Sequence, residues 1–470
     1  MANSISVLPA PLLNDSSFKK LHSTESKPFL PSNRPGDQRI ISYEKEVKLL
    51  AVEASSFIVG LPGVSTTTVY EGNFQAVVSF LSERVLQVVR LNPWLVGHLV
   101  KKDERLYLRY NETITANDSS LFFNVIDDTT TSAHLDDAYS PRELNPALAL
   151  LLDAYLVPQG TALIGVCPAP ALFKVSLLKM HANRFMLVTS ISHIIADGST
   201  YYALHCMLGK GSLPHAQPRA LCVERVRQLK PKVDALIGGN NKMMESMSWL
   251  TSPGSLLRII SLFVAGPRQR YFMNIVPTSW ATQQKKKAVI AATDAGIKTV
   301  SYVSTNDCIM SALANVNRDK VVLMAVNLRG RVPGLEIEKD LAGNYEQALP
   351  FLFEDVDYAW KVREAISSSH LCRISKKSLP GFCESSSWNC GVSLVTNWAT
   401  FYHDVEFPKA SLIRHMPAPP LDTSKVPMCV YIIFSPREGE LEFCACVRNS
   451  NVTSKSLTEA FLAPYEAPKL

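Results

Sequence analysis

Apolar residues between Gly72 and Leu95 recur at helical spacing, at Phe74, Val77, Val78, Leu81, Val85, Val88 and Val89. That period predicts an amphipathic helix, closed by Asn92-Pro93. The next stretch, "WLVGHLVKKDERLYLRY", is two strand-like runs around a polar Lys101–Glu104 turn and reads as a hairpin. "LFKVSLLKM" and "RFMLVTSIS", on either side of "HAN", predict a second hairpin, and "GSTYYALHCML" predicts a helix after it. Periodicity fades from about Gly209 to Ala235, where Pro, Gly, Lys and Arg mix; this reads as a crossover between two halves. The second half offers a helix at "TNDCIMSALANV" and strands at "KVVLMAVNL", "CGVSLVTNW", "PMCVYIIFS" and "ELEFCACV", with "PREGE" as the turn between the last two. Strands and helices mix in both halves, so the pattern predicts an α/β fold.

A chain of 470 residues exceeds one ordinary domain. The boundaries expected are a loosely held arm at 1–39, an N-terminal domain at 40–208, a linker at 209–240 and a C-terminal domain at 241–470. The net charge of +6 comes from 48 basic and 42 acidic residues and is mild for this length. The longest basic run, Lys285–Lys287, has no interleaved aromatics; it is read as a solvated loop, and no nucleic-acid partner is expected. Ten cysteines are scattered without a CxxC pair, which predicts buried thiols, a reducing compartment, a cytoplasmic location and no metal site. The first twenty residues lack a secretory pattern. "ALALLLDAYLV" and "LLRIISLFVAG" are too short to cross a bilayer and read as buried helices, with a membrane-surface contact left open for the second. No partner chain is called for, so a monomer is expected.

The candidate chemistry lies at "SISHIIADGSTYY", where Asp197-Gly198 follows His193 by four residues. His193 falls at a strand exit and Asp197 at a helix start, where ligand sites of mixed sheets gather. Imidazole accepts protons near neutral pH, so His193 could serve as a general base with Asp197 orienting it. A structural histidine beside a capping aspartate is the competing reading, since a motif this short recurs by chance.

Four further segments alter that weighing. Together with "SHIIADG", the segments "LQVVRLNPWLVGHL", "VSTNDCIMSALA", "AVNLRGRVPGLEIEKDLAGNY" and "SLVTNWATFYHDVEFPKA" resemble, in order and spacing, the motifs of the BAHD acyltransferases. That family belongs to the chloramphenicol acetyltransferase superfamily, with the condensation domains of nonribosomal peptide synthesis. The departure is at Asp404–Ala410, where the family's DFGWGKP has lost both glycines.

The resemblance implies two chloramphenicol acetyltransferase-like domains, each a mixed sheet flanked by helices, with the active-site channel at their interface. It implies direct transfer of an acyl group from acyl-CoA, as co-substrate rather than bound cofactor, to a small alcohol or amine. His193 would be the base, and Thr396 and Trp398 would donate to the oxyanion. Asp197 would be structural and paired with Arg329. Arg329, Ser304 and Asn344 would lie near the cofactor, Gly343-Asn344 would shape the loop there, and Gly198 would give the sharp turn into the helix. No acyl-enzyme is expected, because Ser393 lies in "GVSLV" rather than GxSxG. Two alternatives stay open: a condensation-type enzyme taking its acyl group from a carrier, and a non-catalytic member that retains the fold as a binding protein.

Overall fold

A computed structural model describes residues 45–140, 146–211, 269–332, 341–367, 391–418, 428–448 and 452–462, together with 375, 377, 379 and 380. The expected arm, nearly all of the expected linker and "LLRIISLFVAG" lie outside the described residues. The first half runs β1 (Lys45–Lys48), α1 (Ser56–Gly60), β2 (Val64–Gly72), α2 (Phe74–Leu91), β3 (His98–Lys102), β4 (Arg105–Tyr110), β5 (Phe123–Ile126), α3 (Thr129–Ala138), α4 (Pro146–Leu152), β6 (Phe173–Lys179), β7 (Arg184–Ile191) and α5 (Gly198–Met207). The second runs β8 (Arg270–Ile275), α6 (Thr278–Asp294), α7 (Thr305–Asn317), β9 (Val321–Asn327), β10 (Glu346–Leu352), α8 (Phe353–Val356), α9 (Ala359–Ser367), β11 (Val392–Asn397), β12 (Ala410–Pro417), β13 (Cys429–Phe434), β14 (Glu442–Val447) and α10 (Ser454–Leu462). The result is a mixed α/β molecule with two sheet-rich domains.

The apolar stripe of α2 does what its spacing predicts. Val77, Leu81, Val85, Val88 and Val89 are all fully buried, and the Asn73 side chain caps the helix by accepting from Ala76 N at 2.9 Å. Both predicted hairpins form, β3–β4 and β6–β7. Asp103 and Glu104 close the first with φ of 46° and 60°, the two positive values a tight two-residue turn requires. The basic run Lys285–Lys287, read as a loop, lies instead in α6. Trp280, Ala281, Ala288 and Ala292 of that helix are buried and Lys286 is exposed, while Lys285 lies on the same side as Ala281 and Ala288 and is half-buried.

Three sheets form. One is small, β1-β4-β3; one has five strands, β12-β2-β7-β6-β5; one has six, β10-β9-β11-β13-β14-β8. Two features cross the expected halves and correct the reading of 241–470 as wholly C-terminal. Strand β12 leaves the second half and pairs antiparallel with β2 in the five-strand sheet, from Ala410↔Gly72 to Pro417↔Thr66. In the other direction, Leu50 packs into the hydrophobic core around the six-strand sheet, beside Leu328, Leu341 and Tyr345.

Strand β2, "VSTTTVYEG", has no alternating apolar signal, yet its first seven residues are buried. Threonine suits a strand because its branched Cβ fits the pleat, and its hydroxyl must then find a partner. Thr68 Oγ1 meets His415 Nδ1 of β12 at 2.8 Å, and the other ring nitrogen meets Tyr202 OH at 3.0 Å. The apolar period was absent because this strand is satisfied by hydroxyls.

Gly72 marks where β12 arrives. Its φ is +151°, and a Cβ there would lie 2.3 Å from Lys409 O and 2.6 Å from Ala410 Cα. Both obstacles are backbone, so Gly72→Ala is expected to lower unfolding free energy by about 2–3 kcal/mol. Urea denaturation against wild type measures it.

Candidate active site

Strand β7 ends at Ile191, and the chain turns through Ser192–Ala196 before α5. Ser192 organises the turn, its Oγ accepting from Ile194 N at 3.3 Å and its carbonyl accepting from Ile195 N at 3.1 Å. Ile194, Ile195 and Ala196 are buried plugs in the core. Apolar residues follow the histidine because the turn itself is inserted into the core. His193 is the exception, with a side chain 15 % exposed.

Asp197 caps α5, its Oδ1 accepting from Thr200 N at 2.8 Å. The same carboxylate accepts from both terminal nitrogens of Arg329, Nη1 to Oδ2 at 2.6 Å and Nη2 to Oδ1 at 3.3 Å, and from Tyr345 N at 3.0 Å. Both side chains are almost wholly buried. Arg329 has little left to give. Its Nε and Nη2 donate to Leu341 O, Nη2 also to Gly343 O and Thr200 Oγ1, and Nη1 to Asn327 Oδ1; the guanidinium lies 4.9 Å from the Tyr345 ring centroid. Arg329 holds the 341–345 loop of the second half against the α5 turn of the first, and it also lines the neighbouring cavity.

That loop delivers Asn344. Its Nδ2 donates to His193 O at 2.8 Å and Ile194 O at 3.2 Å, and its Oδ1 lies 3.1 Å from His193 Nδ1. Carbonyl oxygens only accept, so the amide nitrogen must face them and Oδ1 must face the ring. His193 Nδ1 therefore carries the hydrogen, and Nε2 is left with its lone pair. Asn344 is fully buried and bonds to the histidine's ring and backbone. Gly343 is required beside it, since its φ is +127° and a Cβ would lie 2.9 Å from Glu53 Oε1.

Glu53, buried in the same junction, accepts from Asn344 N at 2.9 Å and Leu50 N at 2.8 Å. Burial outweighs those bonds and pushes its carboxyl up to about 7. Glu346, the first residue of β10, places Oε1 3.6 Å from His193 Nε2. Its carboxyl is also raised, by burial first, with His193 acting the other way. Neither acid was singled out in the sequence. Glu346 had a signal, because it stands two residues after Asn344 at the start of a strand, where alternate side chains share a face. Glu53 had none.

A cavity of about 910 Å³ opens beside these groups, lined among others by Gly198, Glu346, Ser304, Thr396 and Trp398. Thr396, near the end of β11, and Trp398, just beyond it, reach the same cavity as Glu346. Ser304 lines it too, although its hydroxyl is engaged in capping α7, accepting from Asp307 N at 3.2 Å. Gly198 does not have the left-handed backbone that a sharp turn would require. A Cβ there would come to 3.4 Å from the Trp398 indole, an ordinary packing contact. Among the described residues, no group of three His, Cys, Asp or Glu could hold a metal ion, and no helix is long and apolar enough to cross a membrane.

No protein-family model matches the chain, and no curated protein matches it. Solved structures do. The condensation domain of the monacolin K polyketide synthase MokA is similar at TM-score 0.53 and 11 % identity, over 90 % of this chain and 96 % of that one. The first condensation domain of the calcium-dependent antibiotic synthetase, in complex with a substrate analogue, is similar at 0.54 and 12 %, over 89 % and 94 %. TRI101 from F. graminearum, complexed with coenzyme A and deoxynivalenol, is similar at 0.50 and 11 %, over 87 % and 96 %. The fold is therefore the two-domain fold of these condensation domains and of TRI101.

Two outcomes follow from the geometry. Asp197→Asn leaves a buried guanidinium without its counter-charge and should cost about 3–5 kcal/mol, read by chemical denaturation. For Glu53 the sign follows from proton binding: between 4.5 in the free chain and about 7 in the fold, the native state holds a proton the unfolded chain has lost. Stability should therefore fall as pH rises through that window, by on the order of 3 kcal/mol, and then level off. Glu53→Gln should flatten the dependence in urea titrations between pH 5 and 8.

Proposed function

We propose that the protein is an acyltransferase moving an acyl group from acyl-CoA to a small hydroxyl or amine acceptor by direct transfer, with His193 as general base. The observation that carries this reading is the state of His193. Asn344 holds Nδ1 as a donor, so Nε2 is a fixed lone pair directed away from the backbone that anchors the ring. A base needs that tautomer before substrate arrives.

In this reading the acceptor's proton passes to Nε2 as its heteroatom attacks the thioester carbonyl. The new oxyanion is met by the Thr396 hydroxyl and the Trp398 indole N–H, whose residues line the cavity from the second half. The intermediate collapses, the C–S bond breaks, and the thiolate takes the proton back from the imidazolium. Lys285 and Arg331 line the same cavity, beside Glu346 and Glu440, and would be the groups that meet the phosphates of the donor. Asp197 and Arg329 fix the geometry without touching substrate.

Membership in the BAHD branch rests on the order of the five segments. It assigns the first domain to 40–208 and the second to 241–470, less strand β12. The Asp404–Ala410 segment has a structural part here: Val405 O accepts from Tyr70 OH at 2.9 Å, and Phe407 packs on Tyr70. Loss of its glycines therefore leaves the base in place, which favours an enzyme over a non-catalytic relative. TRI101, solved with coenzyme A and a small molecule together, supports a free acyl-CoA donor. The two condensation domains are the observation behind a second reading, a carrier-bound donor on the same base. The six described cysteines form no disulfide, in keeping with a cytoplasmic enzyme.

The test is release of free coenzyme A from a panel of acyl-CoAs with alcohol and amine acceptors. His193→Ala is expected to lower turnover about 100- to 10,000-fold with the fold intact by circular dichroism. Undiminished turnover would remove His193 from the mechanism.

A further inference from the structure

Proton transfer to His193 requires no carboxylate beside Nε2, yet Glu346 stands there. The other acids of this junction are satisfied: Asp197 by Arg329 and two backbone N–H groups, Glu53 by two backbone N–H groups. Glu346 differs. Among the described residues, no lysine or arginine lies within ion-pair distance of it, and His193 is its one partner of that kind, at 3.6 Å. Its side chain is 25 % exposed and lines the cavity.

The number of hydrogens available then decides what fits. Asn344 holds the hydrogen of His193 on Nδ1, so Nε2 offers a lone pair, and an ionised carboxylate offers only lone pairs. An acceptor heteroatom about 2.8–3.0 Å from Nε2 also falls within reach of Oε1. It meets two hydrogen-bond acceptors at once. A hydroxyl carries one hydrogen and leaves one of them unmet. A primary amine carries two and an ammonium three, and the ammonium also brings a positive charge into direct contact with a carboxylate whose cationic neighbour, Arg329, is committed to Asp197.

We propose that Glu346 selects the acceptor: the cavity takes a primary amine, its nitrogen held between Glu346 and Nε2 of His193, and the product is an amide. This rests on acyl transfer by His193. The amine binds as R–NH3+ and releases one proton to solvent, which frees its lone pair. The C–N bond forms as the thioester carbonyl opens, and a second proton passes to Nε2. The C–S bond then breaks, and the thiolate takes that proton. The products are amide, coenzyme A thiol and one proton; the remaining amide N–H still faces Glu346.

The experiment separates recognition from turnover. Full-length protein carrying 13Cε1-labelled histidine is titrated with n-hexylamine and with n-hexanol at neutral pH, the His193 signal being assigned by its loss in His193→Ala. Hexylammonium should move that signal at concentrations about tenfold or more below those needed for hexanol, because a site with a fixed polar partner rejects a ligand that cannot meet it. In Glu346→Gln and Glu346→Ala, each checked for fold by circular dichroism, the preference should shrink below about twofold. Equal response to hexanol, a preference that survives in both variants, or no response to either ligand at millimolar concentration would overturn the proposal. A parallel assay with acetyl-CoA follows amide and ester formation. Amine binding that depends on Glu346 without acylation of either ligand would retain the recognition site and reject acyl transfer. Ester formed as fast as amide would reject the role of Glu346 and retain acyl transfer.

Discussion

One ion pair holds the site together. Asp197 and Arg329 come from opposite halves, are buried together, and share a two-pronged contact; their other hydrogen bonds go to backbone, Thr200 and Asn327. A buried pair of this kind adds little net stability over an apolar equivalent, since both charges had to leave water. Its contribution is to geometry. It sets where the 341–345 loop lies against the β7–α5 turn, and that placement determines which atom of Asn344 meets the His193 ring.

The site is thus assembled outward from a contact that does no chemistry. Asp197 caps α5 and anchors Arg329, Arg329 pins the carbonyls of Leu341 and Gly343, and the pinned loop delivers Asn344 to the backbone of His193–Ile194. Glu53 closes the junction from a third direction through Asn344 N. The histidine itself is held by Asn344 on one side and stands beside Glu346 on the other, and its tautomer is fixed from behind.

Much of this was legible in the sequence where a residue type has few uses. HxxxDG at a strand exit, a long amphipathic helix and two hairpins could be read from periodicity and turn chemistry, and each stands in the fold. The residues that escaped were those whose meaning lies in a partner far along the chain. Asn344 looked like a turn residue until its amide met His193, 151 positions away. Arg329 was expected as the partner of Asp197 and stands there, 132 positions away. Strand β2 carries no apolar alternation because threonine hydroxyls meet His415 and Tyr201. Lys285–Lys287 misled for the opposite reason, because a local run of charge says nothing about the buried face of the helix that carries it.

The crossing of β12 bears on how the chain reaches this state. Its pairing with β2 joins segments separated by well over half the sequence. During synthesis, β2 is made early and has β7 as a neighbour on one side, but its other edge stays open until Ala410–Pro417 has emerged. An unpaired edge on a growing chain invites pairing with other chains, and closing so long a loop is slow. The two halves are therefore not separable folding units: the first sheet is completed only by a strand that lies far down the chain.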